Sequence, residues 1–78
     1  MQVSFYGRLG ELIGRKIDHP SVPTVAQLRT SLATSFPDAA DLLLGDKIKI
    51  AIDDRLVAHD SILSGSEQVD FFPPLSGG

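Results

Sequence analysis

The segment QVDFFPPLSGG, residues 68–78, is the part of the chain that most constrains the fold, because an apolar strand runs directly into a thin tail. Residues 68–72 alternate in polarity, with Val69 and Phe71 predicted to face inward and Asp70 and Phe72 outward. Two prolines follow, and each fixes its own φ and lacks a backbone donor. The strand is therefore predicted to end at position 72 and to continue as an extended tail.

The N-terminal segment has the matching pattern of a second strand. Residues 2–6 place Val3 and Phe5 on one face and Ser4 and Tyr6 on the other. The first and last strands are both apolar enough to lie side by side in the centre of a sheet. Tyr6 and Phe72 are then predicted to be neighbours on the face away from the main helix.

Between these strands, the clearest element is a helix that begins at Thr24. The run Thr24-Val25-Ala26-Gln27 fits a capping box, in which the Thr and Gln side chains satisfy free backbone N–H groups. Pro37 ends the helix, because proline disfavours helical geometry in the residue before it. Apolar residues at helical spacing form one stripe along it: Val25, Leu28, Leu32 and Phe36.

The remaining elements are shorter. Residues 8–13 are predicted to form a helical turn ended by Gly14, residues 15–19 a second strand, and residues 38–45 a loop or a broken helical turn. Residues 47–52 alternate strictly and predict a strand with three isoleucines inward. Asp53-Asp54 then forms a turn into a short strand at 55–58, and a further turn at 61–65 precedes the last strand.

This order of elements predicts an α+β fold in which one mixed sheet carries one main helix across one face. With the first and last strands central, the arrangement is the ubiquitin-like β-grasp. The predicted domain spans residues 1–72, and residues 73–78 form a flexible C-terminal tail that ends in Gly-Gly.

Composition excludes several classes of function. The chain has 78 residues, a net charge of -3 and no cysteine, so disulfides, thiolate ligands and a cysteine nucleophile are ruled out. Its seven basic residues form no stripe, which argues against nucleic-acid binding. No signal peptide and no apolar run long enough to span a membrane are present, so we expect a cytoplasmic domain without a membrane partner.

The ionisable residues give little indication of catalysis. His19 and His59 are 40 positions apart with no evident third ligand, so no metal site is expected and both histidines are predicted to be solvated. Turn chemistry explains Asp53-Asp54. Asp38 and Asp41 are read as part of a solvated loop. No active site of the chain's own is expected, and no bound cofactor.

The two terminal glycines indicate chemistry done to the chain by another protein. Gly77 and Gly78 lack side chains, so a narrow channel could admit them with the terminal carboxylate at the tip. An alternative interpretation is an idle, frayed terminus, which is common in proteins. The extended Phe-Phe-Pro-Pro context favours the first interpretation.

Several motifs together resemble the small, sulfur-carrying subunit of molybdopterin synthase. They are the C-terminal Phe-Pro-Pro-Leu-Ser-Gly-Gly run, the N-terminal Val3-Ser4-Phe5-Tyr6 with Arg8-Leu9-Gly10-Glu11-Leu12-Ile13-Gly14, and Ile50-Ala51-Ile52-Asp53. The turn before the last strand is one residue longer than is usual in that family, which leaves the strand register there open. Gly7 and Gly10 replace expected side chains, so the first helical turn is predicted to be weak.

The resemblance implies a role for each residue of the tail. Gly78 would be adenylated by an ATP-using activating enzyme and converted to a thiocarboxylate. The large subunit would then receive the tail and transfer the sulfur to a cyclic pyranopterin monophosphate, in a heterotetramer of two small and two large subunits. The residues that would enter the large subunit are Pro73, Pro74, Leu75, Ser76, Gly77 and Gly78. Tyr6, Phe72 and Leu75 are predicted to form the apolar interface beside them. At its rim, Arg8 and Lys47 or Lys49 could pair with an acidic partner surface.

Three alternatives remain open from the sequence. The chain could carry sulfur for thiamine or another thiolated metabolite, although the thiamine carrier generally lacks the double proline. It could instead be a ubiquitin-like modifier that is joined to lysines through Gly78. It could also be a plain β-grasp interaction module with an idle terminus.

Overall fold

The computed structural model describes residues 1–74, and the predicted tail residues 75–78 lie outside the described part. The elements follow in chain order, with a short 3₁₀ turn between the last two helices: β1 (Gln2–Phe5), α1 (Gly7–Ile13), β2 (Lys16–Asp18), α2 (Val25–Ser35), the 3₁₀ turn (Pro37–Ala39), α3 (Ala40–Leu44), β3 (Lys49–Ile52), β4 (Arg55–Val57) and β5 (Gln68–Phe72).

The five strands form one mixed sheet in the order β2-β1-β5-β3-β4. The first and last strands lie side by side in the centre and run parallel, with Val3 opposite Val69 and Phe5 opposite Phe71. The other three pairings are antiparallel. This topology, with α2 across one face, confirms the predicted α+β class and the ubiquitin-like β-grasp.

The core lies between the sheet and the helices. Phe5 and Phe71 stack across the central parallel pair with ring centroids 5.6 Å apart. The stripe predicted on α2 is buried at Val25, Leu28 and Leu32. Leu9 from α1 and Leu43 from α3 complete the same cluster. Burying each of these large apolar side chains stabilises the fold by about 1.5–3 kcal/mol relative to leaving it exposed.

Helix α2 begins and ends where the sequence predicts. The Thr24 Oγ1 accepts the Gln27 N–H at 3.1 Å, which satisfies one free donor of the first turn. The Gln27 side chain does not complete the capping box, because its Oε1 accepts the Thr24 hydroxyl instead. At the other end, Phe36 is the C-cap and Pro37 opens the 3₁₀ turn.

Residues 38–45, predicted to be a loop or a broken helical turn, are helical for most of their length. Arg29 on α2 explains how such a short helix is held, since its Nε donates to the Leu43 carbonyl at 2.7 Å and a terminal nitrogen donates to the Gly45 carbonyl at 2.6 Å. These are the free carbonyls at the end of α3. Partial burial lowers the pKa of Arg29 from its usual value.

Strand β3 is shorter than predicted and begins at Lys49, although Ile48 before it is buried. Ile52 is only half-buried against the core. The predicted turn is confirmed at Asp53 and Asp54, which both have positive φ. That backbone matches the twist of a tight hairpin, and it returns the chain into β4.

The turn before β5, whose register the sequence left open, is fixed by Glu67. Its carboxylate accepts the Ser64 N–H at 2.5 Å and the Gly65 N–H at 2.7 Å. These bonds, with the Ser64 N–H as the largest cause, lower the pKa of Glu67 to about 2. Strand β5 then begins at Gln68, opposite Gln2.

The predicted outward orientation of Asp70 is confirmed, and the prediction for the two histidines needs correction. Asp70 lies on the face away from α2 but is buried, with 6% of its surface exposed. The histidines are not simply solvated: His19 contacts Ser31 Oγ at 2.8 Å, and His59 contacts the Ile48 carbonyl at 2.7 Å. Both side chains therefore tie loops to neighbouring elements.

The glycines of α1, from which the sequence predicts a weak helical turn, include one that allows close packing. A Cβ on Gly10 would lie 3.0 Å from the Phe5 carbonyl oxygen, so glycine allows α1 to approach β1 closely. Helix α1 runs from Gly7 to Ile13 and ends at Gly14 as predicted. No helix in residues 1–74 is long and apolar enough to cross a membrane.

Candidate functional site

The point where the tail leaves the sheet is marked by two stacked aromatic rings. Tyr6 follows β1 and Phe72 ends β5, and their ring centroids are 4.6 Å apart with an interplanar angle of 12°. The Tyr6 N–H donates to the Phe71 carbonyl at 3.1 Å, which extends the central ladder to this point. Tyr6 is 47% exposed. The prediction that Tyr6 and Phe72 are neighbours is confirmed. Binding of a partner at this position remains a prediction.

Pro73 packs directly beyond this pair, against Gly7. Gly7 has a φ of +56°, and a Cβ placed on it would lie 3.0 Å from Pro73 Cγ. Glycine is suited to both the positive φ and the close approach. The start of the tail therefore rests on the N-terminus of α1, and Pro74 after it is exposed.

Two open grooves flank the prolines. One, of about 550 Å³, is lined by Tyr6, Arg8 and Leu42, together with Phe72 and both prolines. The other, of about 650 Å³, is lined by Lys47, Lys49 and Leu56, again with Phe72 and the prolines. The structure thus brings the predicted rim residues Arg8, Lys47 and Lys49 to the grooves beside the prolines, with Lys49 directly opposite Phe72 in the strand register.

Leu56 belongs to this surface, and the sequence interpretation missed it. It pairs with Ala51 on β3, on the face away from α2, and is 70% exposed. The signal was present in the alternation of β4, because an inward Val57 places its neighbour Leu56 outward. We call Tyr6, Phe72, Pro73, Pro74 and Leu56 the tail-exit surface.

The remaining predicted site residues are outside the described part of the chain. They are Leu75, Ser76, Gly77 and Gly78, so the contribution of Leu75 to the apolar surface stays a prediction. Within residues 1–74, no group of three or more His, Asp or Glu side chains is placed to hold a metal ion.

The tail-exit surface has the composition that we expect of a docking site. Its members are apolar or aromatic, and large exposed aromatic side chains are favoured anchors in protein interfaces. The two groups with shifted pKa values, Arg29 and Glu67, line neither of the two grooves. Their hydrogen bonds explain both residues as structural contacts.

Comparison with known proteins agrees with this geometry. Residues 3–78 match the ThiS family. The chain belongs to the ThiS family. The match covers all five residues of the tail-exit surface and the terminal Gly-Gly. A relative of this chain is the protein named molybdopterin synthase sulfur carrier subunit from Escherichia coli (strain K12). It is 32% identical over 80 residues, covering 100% of this chain and 99% of that protein.

Solved structures of similar fold come from archaea. The small archaeal modifier protein 1 from Methanosarcina acetivorans has a TM-score of 0.83 at 22% identity, covering 99% of this chain and 94% of that one. SAMP1 from Haloferax volcanii has a TM-score of 0.78 at 21% identity, covering 99% and 97%. A putative molybdopterin converting factor, subunit 1, from Pyrococcus furiosus has 0.75 at 23%, covering 95% of each chain. At these identities the likeness establishes the ThiS-family chain as a β-grasp fold.

Proposed function

We propose that this chain is the sulfur-carrier subunit of a molybdopterin synthase. The observation that carries the proposal is the 32% identity with the Escherichia coli protein of that name over the whole of both chains. The Phe-Phe-Pro-Pro-Leu-Ser-Gly-Gly end of the sequence supports it. In this role the chain is a protein co-substrate, and the catalytic groups belong to its partners.

The proposed reaction begins at the carboxylate of Gly78. An α-carboxyl has an ordinary pKa of about 3.3–3.7, so the group is ionised at neutral pH and unreactive as an acyl donor. An activating enzyme attaches the carboxylate to the α-phosphate of ATP and releases pyrophosphate. A sulfur nucleophile then displaces AMP, which leaves a thiocarboxylate on Gly78.

The thiocarboxylate next enters the large subunit of the synthase, where its sulfur is transferred to the cyclic pyranopterin monophosphate. Residues 73–78 span about 20 Å when extended, at roughly 3.3 Å a residue. The two prolines restrict the tail before it binds, which reduces the ordering entropy that insertion costs. The proposed assembly has two of these chains on a dimer of large subunits.

In this proposal, the large subunit binds to the tail-exit surface. Tyr6 and Phe72 provide stacked aromatic area, and Leu56 extends that area across β4. Leu75 is proposed to join them. Arg8, Lys47 and Lys49 are placed at the rim, where charged residues mainly affect the rate of association.

The other roles left open by the sequence differ in the fate of Gly78. A ubiquitin-like modifier would be found in isopeptide linkage with lysines, and a carrier for thiamine or another metabolite would bear sulfur without this large subunit. The similarity to small archaeal modifier proteins is at 21–22% identity and speaks to the fold. The full-length identity therefore favours the molybdopterin assignment.

Native mass spectrometry of the chain captured from its own cell extract tests the proposal. It reads the mass of the bound partner and the chemical state of Gly78 in one measurement. We expect a complex of two small and two larger chains, with one oxygen replaced by sulfur on the tail. Gly78 in isopeptide linkage to varied proteins, or sulfur on a chain with a different partner, would contradict it.

A further inference from the structure

The sheet face away from α2 carries a buried acid at its centre. Because paired residues share a face, Ser4, Asp70, Ala51 and Leu56 lie in one row across β1, β5, β3 and β4. Ser4, Asp70 and Ala51 have 8%, 6% and 4% of their surfaces exposed. Ser4 and Ala51, which have short side chains, lie directly on either side of Asp70 in the strand register.

The carboxylate of Asp70 is only partly satisfied within residues 1–74. Gln68 Nε2 donates to Asp70 Oδ1 at 2.9 Å and to Ser4 Oγ at 2.8 Å. In this part of the chain, no buried side-chain oxygen is left without a hydrogen-bond partner. Among the described hydrogen bonds, the only one to this carboxylate goes to Oδ1. An ionised carboxylate accepts about four hydrogen bonds, so most of its capacity is available.

This acid adjoins the tail-exit surface. Phe72 follows Asp70 by two residues on the same face of β5. Leu56 ends the row on β4, on the far side of Ala51 from Asp70. A partner that covers Tyr6, Phe72 and Leu56 together therefore also covers Asp70 and removes its remaining water. Lys49 lies opposite Phe72 on the same face and diagonal to Asp70, whereas the described hydrogen bond to the carboxylate comes from Gln68. Leaving the carboxylate without a directly bonded cation in such an interface is strongly unfavourable.

We propose that the large subunit of the synthase presents an arginine or lysine side chain to Asp70. The proposal rests on the proposed function and identifies a contact that selects the partner. A guanidinium or ammonium group would replace the lost water with charge-assisted hydrogen bonds. A surface that is apolar at this point would be rejected, because it would seal the carboxylate without a donor.

The test measures binding of this chain to the purified large subunit of the same organism by calorimetry. Asp70→Asn keeps the size of the side chain and an acceptor for Gln68 but removes the charge. Asp38→Asn is the matched control, since it changes the net charge equally at an exposed site in the 3₁₀ turn. Thermal unfolding of each variant measures its stability, so that a change in binding can be distinguished from a loss of folded protein.

We expect Asp70→Asn to raise Kd at least about 30-fold, within the range for truncating one partner of a buried charge pair. The control should change Kd less than about twofold, as is usual for a rim charge. The affinity of the wild-type chain should also fall more steeply with added salt than that of Asp70→Asn.

Asp70→Ala provides a second, opposing readout. If a cation faces Asp70, this variant binds worse than the wild-type chain because the cation is left unpaired. If the covering surface is apolar, it binds better, and the proposal is overturned. Equal affinities for wild type, Asp70→Asn and Asp70→Ala would also overturn it. No binding of the wild-type chain would instead overturn the proposed function, and this inference with it.

Discussion

At the scale of single residues, the adjacent pair Phe71 and Phe72 separates stability from binding. Phe71 is fully buried against Phe5, whereas Phe72 stacks on Tyr6 at the surface. We expect Phe71→Ala to cost about 3–5 kcal/mol of unfolding free energy. Phe72→Ala should cost about 1 kcal/mol, close to the value of an aromatic pair, and weaken binding to the large subunit more than it weakens the fold. Thermal unfolding and calorimetry check both. A large loss of unfolding free energy in Phe72→Ala with unchanged binding would contradict the proposed role of Phe72 in binding the large subunit.

Glu67 predicts a pH dependence at the same scale. Its pKa in the folded chain is about 2, below the ordinary 4.5. A depressed pKa adds stability above the unfolded value, and that contribution is lost as pH falls from about 4.5 to about 2. Solvent screening limits it to about 1 kcal/mol or less. Glu67→Gln should therefore be less stable than wild type at pH 7, and the difference should vanish below pH 2. We would measure the unfolding free energy of both proteins across this pH range. A constant difference between wild type and Glu67→Gln would mean that the Ser64 and Gly65 contacts do not stabilise the ionised carboxylate.

Some residue-level features followed from sequence and others did not. Alternation places Tyr6, Phe72 and Asp70 on the outer face, and the structure confirms those orientations. Alternation does not give burial, because that depends on neighbours across strands. Asp70 is buried on a central strand, with β1 and β3 directly on either side of it. Only the register of these three strands reveals which residues lie beside it.

At the scale of elements, α3 depends on a contact from another helix. Arg29 on α2 donates to the carbonyls of Leu43 and Gly45. Arg29→Ala should lower the unfolding free energy by about 2 kcal/mol, the usual value for a hydrogen bond to a charged group. Arg55→Ala, at an exposed position of β4, is the control and should change it by less than about 0.5 kcal/mol. Equal stability of the two variants in denaturant unfolding would mean that α3 does not depend on the hydrogen bonds from Arg29.

This dependence also explains which elements the sequence predicted. Helix α2 and strand β5 carry their own start and stop signals, namely Thr24, Pro37 and Pro73. Helix α3 has no side-chain cap, and its leucine run is compatible with a loop or a helix. Its conformation is decided by Arg29, 14 and 16 residues earlier in the chain. Local patterns cannot contain a signal that arises from such a distant contact.

At the scale of the whole molecule, the proposed chemistry is separate from the folded core. Every buried apolar residue of the core cluster lies between Val3 and Phe71. Removing Gly78 should therefore leave thermal unfolding unchanged while abolishing sulfur transfer, because the carboxylate would end on the wrong residue. Intact-mass analysis after incubation with ATP, the activating enzyme and a sulfur donor measures this. Ser76→Ala, which keeps the terminal glycines, is the control. A shortened chain that still supported molybdopterin synthesis would refute the proposal.

The central position of β5 has a mechanical consequence. The tail continues directly from the strand that is hydrogen-bonded on both sides, to β1 and to β3. A pull on the tail along the strand loads these bonds together in shear, since they lie roughly perpendicular to the force. A tail attached to an edge strand could be peeled away one bond at a time. We therefore expect a pull on this terminus to be resisted by the two central strand pairings together, so that a partner could bind or release the terminus without unfolding the domain.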